Sequence, residues 1–420
     1  MTNNTRTPID MTQPKLCPGF VPVEGDTISV GGRSVRLGSK IGEGGEGAVY
    51  KLDDGTVCKI YKAEKLTEPL ERKITLMTQH PVMVKGVCWP LATVFNSNGV
   101  FVGYTMPSAS GLSLYEAVFS PERVQRNFPT WNRLDLTSLA RRIVGRIAAL
   151  HQRGVLIGDI NFNNILISVS PHDPTKVDIF FVDTDSYQLG VFPSPVGTPE
   201  FLAPDLQGKN LRTLLRTPEQ EHFAVSTLMF MILMLGQHPY ARRDGSSPLE
   251  NIRLGRYPYD RSRGVDRRYE VPFGPWQMIY SNFSGLLRAT FAKAFVDHDY
   301  PTAEAWYKVL GAEYNALRNG TKCSDLVPDK FYVRPENAVT VKCDKCGKPF
   351  EINKHYLDHL ISMGKPLICP ECSEEIVVPC ERCGCGNFVL IRRYKYNEIK
   401  AKGRQVLCPE HFAAGQNAAD

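Results

Sequence analysis

No stretch of apolar residues in this 420-residue chain is long enough to cross a bilayer. The longest uncharged apolar run, Phe223 to Gly236, covers about fourteen residues where a spanning helix needs about twenty, and reads as a buried core helix. The opening stretch, MTNNTRTPIDMTQPK, has no apolar segment that could serve as a secretory signal. A large excess of one charge is also missing. The net charge of +6 is spread over a wide surface and does not by itself imply a nucleic-acid partner. Cysteine is sparse through most of the chain, with Cys17, Cys58, Cys88 and Cys323 scattered ahead of residue 343. Together these shortages leave a cytosolic protein with no membrane partner as the expectation.

What is present is an ordinary globular composition, 42% hydrophobic and 22% charged, over a length that suits two to three domains. The other eight cysteines crowd between Cys343 and Cys408, and in a reducing cytosol such crowding reads as metal binding before disulfides. The expected division is a tail at 1–27, a body at 28–317, a polar linker at 318–338, two Cys-rich modules at 339–374 and 375–413, and a short tail at 414–420.

In the body, KIGEGGEGAVYKL holds Gly42, Gly44 and Gly47 in G-x-G-x-x-G spacing, followed by Val49. Glycine there lets backbone N–H groups approach phosphate oxygens, although the same spacing occurs in plain hairpin turns. The flanks SVRLGSKI and GAVYKL read as the two strands of a hairpin. A dinucleotide fingerprint would instead run from strand to helix. TVCKIYK then places Lys59 on a neighbouring strand, able to reach under the loop as a cation for phosphates. In the helix-like AEKLTEPLERKITLMTQ, Glu71 is expected to hold Lys59 by an ion pair, with Glu68 as the alternative.

The amphipathic helix LTSLARRIVGRIAALHQRG, closed by Gly154, leads into LIGDINFNNILIS. Asp159 and Asn164 stand five residues apart there, between two apolar runs. In phosphoryl transfer such an Asp takes the acceptor hydroxyl's proton and such an Asn binds a metal. VDIFFVDTDSYQ ends an apolar strand in Asp183, placed to hold Mg²⁺, with Asp185 as an alternative or second ligand. An Asp after a buried strand is often only a turn former. The ordered set is harder to assign to chance.

These residues resemble the protein-kinase family over roughly 28–317. VGTPEFLAPD looks like the substrate-docking loop with Asp205 in place of Glu. EHFAVSTLMFMILMLGQHPY resembles the buried long helix, with Glu221 where Asp is usual, and DYPTAEAWYKVL resembles the closing helix. The resemblance implies an α+β, two-lobed fold with a β-rich N-lobe at about 28–106, a helical C-lobe at about 107–317, and ATP with Mg²⁺ in the cleft. It implies Gly42, Gly44 and Gly47 over the phosphates, with Val49 beside them, and Lys59 on the phosphates, held by Glu71. Asp159 would be the base, and Asn164 and Asp183 the Mg²⁺ ligands.

Several positions depart from the family. Gly158 replaces an Arg that normally pairs with a phosphorylated loop, so activity is expected not to need a phosphate in 183–203. Asp183-Thr184-Asp185 replaces Asp-Phe-Gly. Asn161 replaces a Lys and would offer the transferring phosphoryl a neutral hydrogen bond, which bears on rate. Thr198 lies where serine/threonine kinases keep a Thr that meets the catalytic Asp. The reading is a serine/threonine-type kinase of the eukaryotic-like bacterial kind. Its rivals are a pseudokinase scaffold and a small-molecule kinase.

The Cys-rich end is a duplication. VKCDKCGKPF…LICPEC aligns with VPCERCGCGNF…VLCPEH. Cys343, Cys346, Cys369 and Cys372 are expected to bind one structural Zn²⁺, and Cys380, Cys383, Cys408 and His411 a second, with Cys385 able to substitute for a neighbour. These sets resemble zinc ribbons, which implies a partner protein on the tail. The basic, Tyr-interleaved IRRYKYNEIKAKGR raises a nucleic-acid partner, but a solvated helix face is the preferred reading.

Overall fold

The computed structural model describes residues 7–170, 173–259, 270–328, 333, 337–362, 364–373, 375–382 and 388–408. The chain divides into two compact units, Met1–Pro272 with Lys293–Gly311 and Phe273–Ala292 with Ala312–Asp420. Among the described residues no helix is long and apolar enough to cross a membrane.

In the first unit, short runs of alternating character form seven strands: β1 (Thr27–Val30), β2 (Arg33–Arg36), β3 (Lys40–Glu43), β4 (Gly47–Lys51), β5 (Val57–Tyr61), β6 (Ala92–Phe95) and β7 (Phe101–Met106). They pair antiparallel in the order β2-β1-β6-β7-β5-β4-β3. The run SVRLGSKI, expected as one strand, is split between β2 and β3. Gly38 makes the break: its N–H donates to the Lys51 carbonyl, and a Cβ there would lie 2.9 Å from that oxygen. One helix crosses this lobe, α1 (Glu68–Gln79), capped by the Thr67 hydroxyl and fixed at its far end by the Trp89 indole, which donates to the Met77 carbonyl at 2.9 Å.

The helical lobe opens with β8 (Leu112–Ser113), α2 (Leu114–Val118) and α3 (Pro121–Asn127). Its first long helix, α4 (Arg133–His151), starts at a capping box between Asn132 and Asp135. It buries Leu136, Leu139, Ala140, Ile143, Val144, Ile147 and Leu150, a stripe at helical spacing. Then come β9 (Val155–Leu156), β10 (Ile165–Ser170), β11 (Asp173–Phe181) and β12 (Gln188–Leu189), which frame the catalytic-type loop in small sheets. The run at 223–236 does form a core helix, α5 (Pro218–Leu233), buried from Glu221 to its end. α6 (Pro248–Arg253) follows it in the chain, and in the stretch 303–311 the Trp306 indole donates to Ser226 Oγ of α5 at 3.0 Å.

The second unit contains α7 (Trp276–Asn282) and parts of α8 (Gly285–Phe295) and α9 (Ala303–Arg318). Asn282 exchanges two hydrogen bonds with the backbone of Cys323. The Cys-rich end repeats one plan twice. A hairpin of β13 (Ala338–Lys342) and β14 (Pro349–Asn353) runs into α10 (Lys354–Ser362), followed by the short α11 (Pro370–Ser373). A second hairpin of β15 (Glu375–Pro379) and β16 (Phe388–Arg392) runs into α12 (Arg393–Ala401). Each repeated element starts 37 or 39 residues after its counterpart.

Candidate active site and zinc centre

The glycine loop is the β3–β4 hairpin. Gly47 is required by the sheet, because a Cβ there would stand 2.1 Å from the Ile60 carbonyl oxygen. Gly42 and Gly44 have open space where a Cβ would point. Val49 pairs directly with Lys59 across β4 and β5, so both side chains share one face of the sheet.

Lys59 is buried and meets three carboxylates: Asp185 at 2.8 and 3.0 Å, Glu46 at 3.3 Å and Asp183 at 3.5 Å. Burial alone would depress this ammonium, but Asp185, then Asp183 and Glu46, outweigh it and raise its pKa. Neither expected helix partner is among these contacts. Glu71 is half-buried on α1 and Glu68 is exposed. The carboxyl of Glu71 is pushed up by partial burial and by Glu68, the reverse of what a lysine partner would do. The α1 residues turned inward are Pro69, Lys73, Ile74 and Met77, so the pairing expected with Glu71 is corrected to Asp185.

Asp159 is held from two sides. Thr198 donates to its Oδ1 through both the backbone N–H, at 2.9 Å, and the hydroxyl, at 3.0 Å. Asn164 Nδ2 lies 3.3 Å from its Oδ2 and 3.1 Å from its carbonyl oxygen. Asp183 ends the segment after β11 in the left-handed region, φ +53°, which Asp tolerates better than most residues. Thr184, in place of the usual apolar plug, is fully buried and donates to the Cys88 carbonyl at 2.7 Å.

Asn161, expected to meet the transferring phosphoryl, is engaged within its own loop. It is buried, its Oδ1 accepts from the N–H groups of Asn163 and Asn164 at 2.8 and 3.2 Å, and its Nδ2 donates to the Asp159 carbonyl at 3.3 Å. Its amide therefore braces the loop from within.

Two further residues shape this loop: Arg216, which sequence reasoning missed, and Glu221, which it noted but gave no role here. Arg216, buried, donates to the Val196 carbonyl, lies beside Gly158, and feels the charges of Glu221 and Asp159. Glu221 accepts from the N–H groups of Ile157 and Gly158 at 2.9 and 2.7 Å and meets His151 Nε2 at 2.7 Å. A cleft of about 510 Å³ opens beside Asp159, lined by Gly197, Thr198, Lys209, Leu211 and Arg212 among others.

In the tail, the Sγ atoms of Cys343, Cys346, Cys369 and Cys372 all lie within 4.8 Å of one another, and those of Cys346 and Cys369 are 3.7 Å apart. Tetrahedral zinc–thiolate bonds of about 2.3 Å place sulfurs about 3.8 Å apart, so the set fits Zn²⁺. Backbone N–H groups of Lys345 and Cys369 point at Cys343 Sγ, and that of Cys372 at Cys369 Sγ, as a shell supporting thiolates would. The second copy repeats one of these contacts, with Cys408 N–H on Cys380 Sγ at 3.3 Å. Cys383, Cys385 and His411 lie outside the described residues.

The curved antiparallel sheet, the helical lobe and the loop residues that meet between them define a protein-kinase fold, followed by a four-cysteine, zinc-ribbon-like module. No protein-family model matches the chain. Its sequence kinship is with bacterial protein kinases and with eukaryotic-like serine/threonine kinases. The chain is 27% identical to protein kinase YegI of Escherichia coli (strain K12) over 405 residues, 91% of this chain and 56% of that protein. It is 29% identical to protein kinase YegI of Escherichia coli O157:H7 over 69% of this chain and 46% of that one. It is 24% identical to serine/threonine-protein kinase PknD of Chlamydia pneumoniae, over 49% of this chain and 24% of that one. The chain thus spans about half the length of the YegI kinases it matches.

Proposed function

We propose that the chain is an ATP- and Mg²⁺-dependent serine/threonine-type protein kinase of the cytoplasm. The observation that carries this reading is Thr198 clamped on Asp159 through two hydrogen bonds, which fixes the carboxylate at the mouth of the cleft. Asp159 accepts the proton of the acceptor hydroxyl as that oxygen bonds to the γ-phosphorus and the bond to the β-phosphate oxygen breaks. Lys59 meets the phosphates under Gly42 and Gly44. Asn164 and Asp183 would hold Mg²⁺, which supplies charge neutralisation. In support, the Asn164 amide nitrogen is engaged by Asp159, leaving its oxygen for a cation, and the Asp183 side chain is about half exposed.

Lys209 and Arg212 in the cleft favour a protein acceptor whose hydroxyl is flanked by acidic residues. The tail would carry two structural Zn²⁺ and recruit a protein partner. Support for a protein over a nucleic acid comes from its internal pairing. Tyr394 packs on the cluster of Cys343, Cys369 and Cys372, Lys345 pairs with Glu398, and Lys400 pairs with Glu381.

The test is incubation with ATP and Mg²⁺, following phosphate transfer to the chain itself, to acidic and basic protein acceptors and to small alcohols. Asp159→Ala and Asp183→Ala are each expected to lower transfer by at least about 10²-fold. Unchanged transfer in both would defeat the assignment. Transfer confined to alcohols would make this a small-molecule kinase, and ATP binding with no transfer a pseudokinase scaffold.

A further inference from the structure

Lys73 is fully buried on the inward face of α1, and its ammonium has no hydrogen-bond partner among the described residues. Burial drives it down to about 8, and the charges acting on it are those of Asp185 and Glu46, in its favour, and of Lys59, against it. The one ionisable side chain that α1 turns inward is therefore a second cation.

Asp185 lies on the opposite side of this balance. It is buried, and each of its oxygens accepts two bonds: Oδ1 from Lys59 at 3.0 Å and Tyr104 at 2.9 Å, Oδ2 from Lys59 at 2.8 Å and Tyr61 at 2.7 Å. A carboxylate so fully engaged is taken up by protein donors and is not presented to a metal. It follows Asp183 by two residues, in the short 3-10 turn Thr184–Ser186.

We propose that Asp185 is the positioning residue of Lys59, doing from this turn what a helix carboxylate would do from α1, and that Lys73 stands on α1 in the place of that carboxylate. One turn then sets both the phosphate-binding Lys59 and Asp183. The setting of Lys59 rests on no carboxylate of α1. The buried Lys73 ammonium is offset at a distance by the same Asp185.

The proposal rests on the reading of Lys59 as a nucleotide contact, so its test reads ATP binding with Mg²⁺ by calorimetry, apart from transfer. Asp185→Asn is expected to weaken binding about tenfold by removing the charge that anchors Lys59. Adding Lys73→Glu to it returns a carboxylate from the helix side and is expected to recover most of the loss. A purely structural role for Asp185 predicts no such rescue. Asp185→Asn binding ATP as tightly as the parent, or a double variant no better than the single, would overturn the proposal. A parent chain that binds no ATP would instead remove the kinase reading on which it stands. If Asp185→Asn does not fold, Lys73→Met decides. Loss of a buried ammonium with no hydrogen-bond partner among the described residues should raise the melting temperature, and a lower one would show that Lys73 has a stabilising partner and overturn its place in the proposal.

Discussion

Gly158 stands where a protein kinase usually carries Arg, and the backbone explains the exchange. Its φ is +75°, and a Cβ would lie 2.2 Å from Ser194 Oγ and 3.0 Å from an Arg216 nitrogen. A guanidinium still stands beside the loop, but Arg216 brings it from the stretch just before α5. Gly158→Ala is therefore expected to destabilise the chain by about 1–3 kcal/mol, read as a lower denaturant midpoint with an unchanged slope. Sequence spacing singled out Asp159, Asn164 and Lys59, each at a fixed offset within its own segment. It could not identify the partner of Lys59. Tyr61 was within reach of such reasoning, being two residues along the same strand and so on the same face. Tyr104 and Asp185 arrive from distant segments, and only strand register and the turn after β11 bring them in.

At the scale of elements, the segment 183–203 is built without room for a regulatory phosphate. Its hydroxyls at Thr184, Ser186, Tyr187 and Ser194 are buried, and that of Thr198 is bonded to Asp159. Phosphatase treatment is expected to leave the transfer rate unchanged, and a rate that falls with phosphate removal would contradict this. The catalytic-type loop instead depends on α5 through Glu221. Glu221→Ala strips acceptors from two loop N–H groups and should cost about 1–3 kcal/mol, seen in thermal unfolding. In the tail, the hairpins are too short to hold themselves together, so a Zn²⁺ on the cysteines would supply much of their stability. Metal analysis is expected to give two Zn per chain and one in Cys343→Ser/Cys346→Ser; zero in the parent would rule out the ribbon reading.

For the whole molecule, acid stability has an identifiable contributor. His238 is buried, accepts from Tyr240 N–H at Nδ1 and faces the Glu200 carbonyl through Nε2, an arrangement that requires the neutral ring. Burial lowers its pKa from 6.5 to about 4. Below 6.5 the unfolded chain takes up a proton that the folded chain refuses. The contribution is thus complete above that pH and is lost as pH falls toward 4, amounting to about 3 kcal/mol. His238→Gln should lack this component in unfolding curves measured between about pH 7 and 4.

The chain's sequence by itself determined the kinase fold, the catalytic-type Asp and Asn, the strand lysine and the first four-cysteine set, because each is carried by residues close in sequence or by a repeat. Tertiary structure alone decided what surrounds them. Asn161 turned inward to brace its loop, Arg216 took the place left at Gly158, and the anchor of Lys59 passed from the helix to Asp185. Those choices depend on which buried charges meet across segments as far as 126 residues apart, where the low dielectric makes every pairing count, and no local pattern records it.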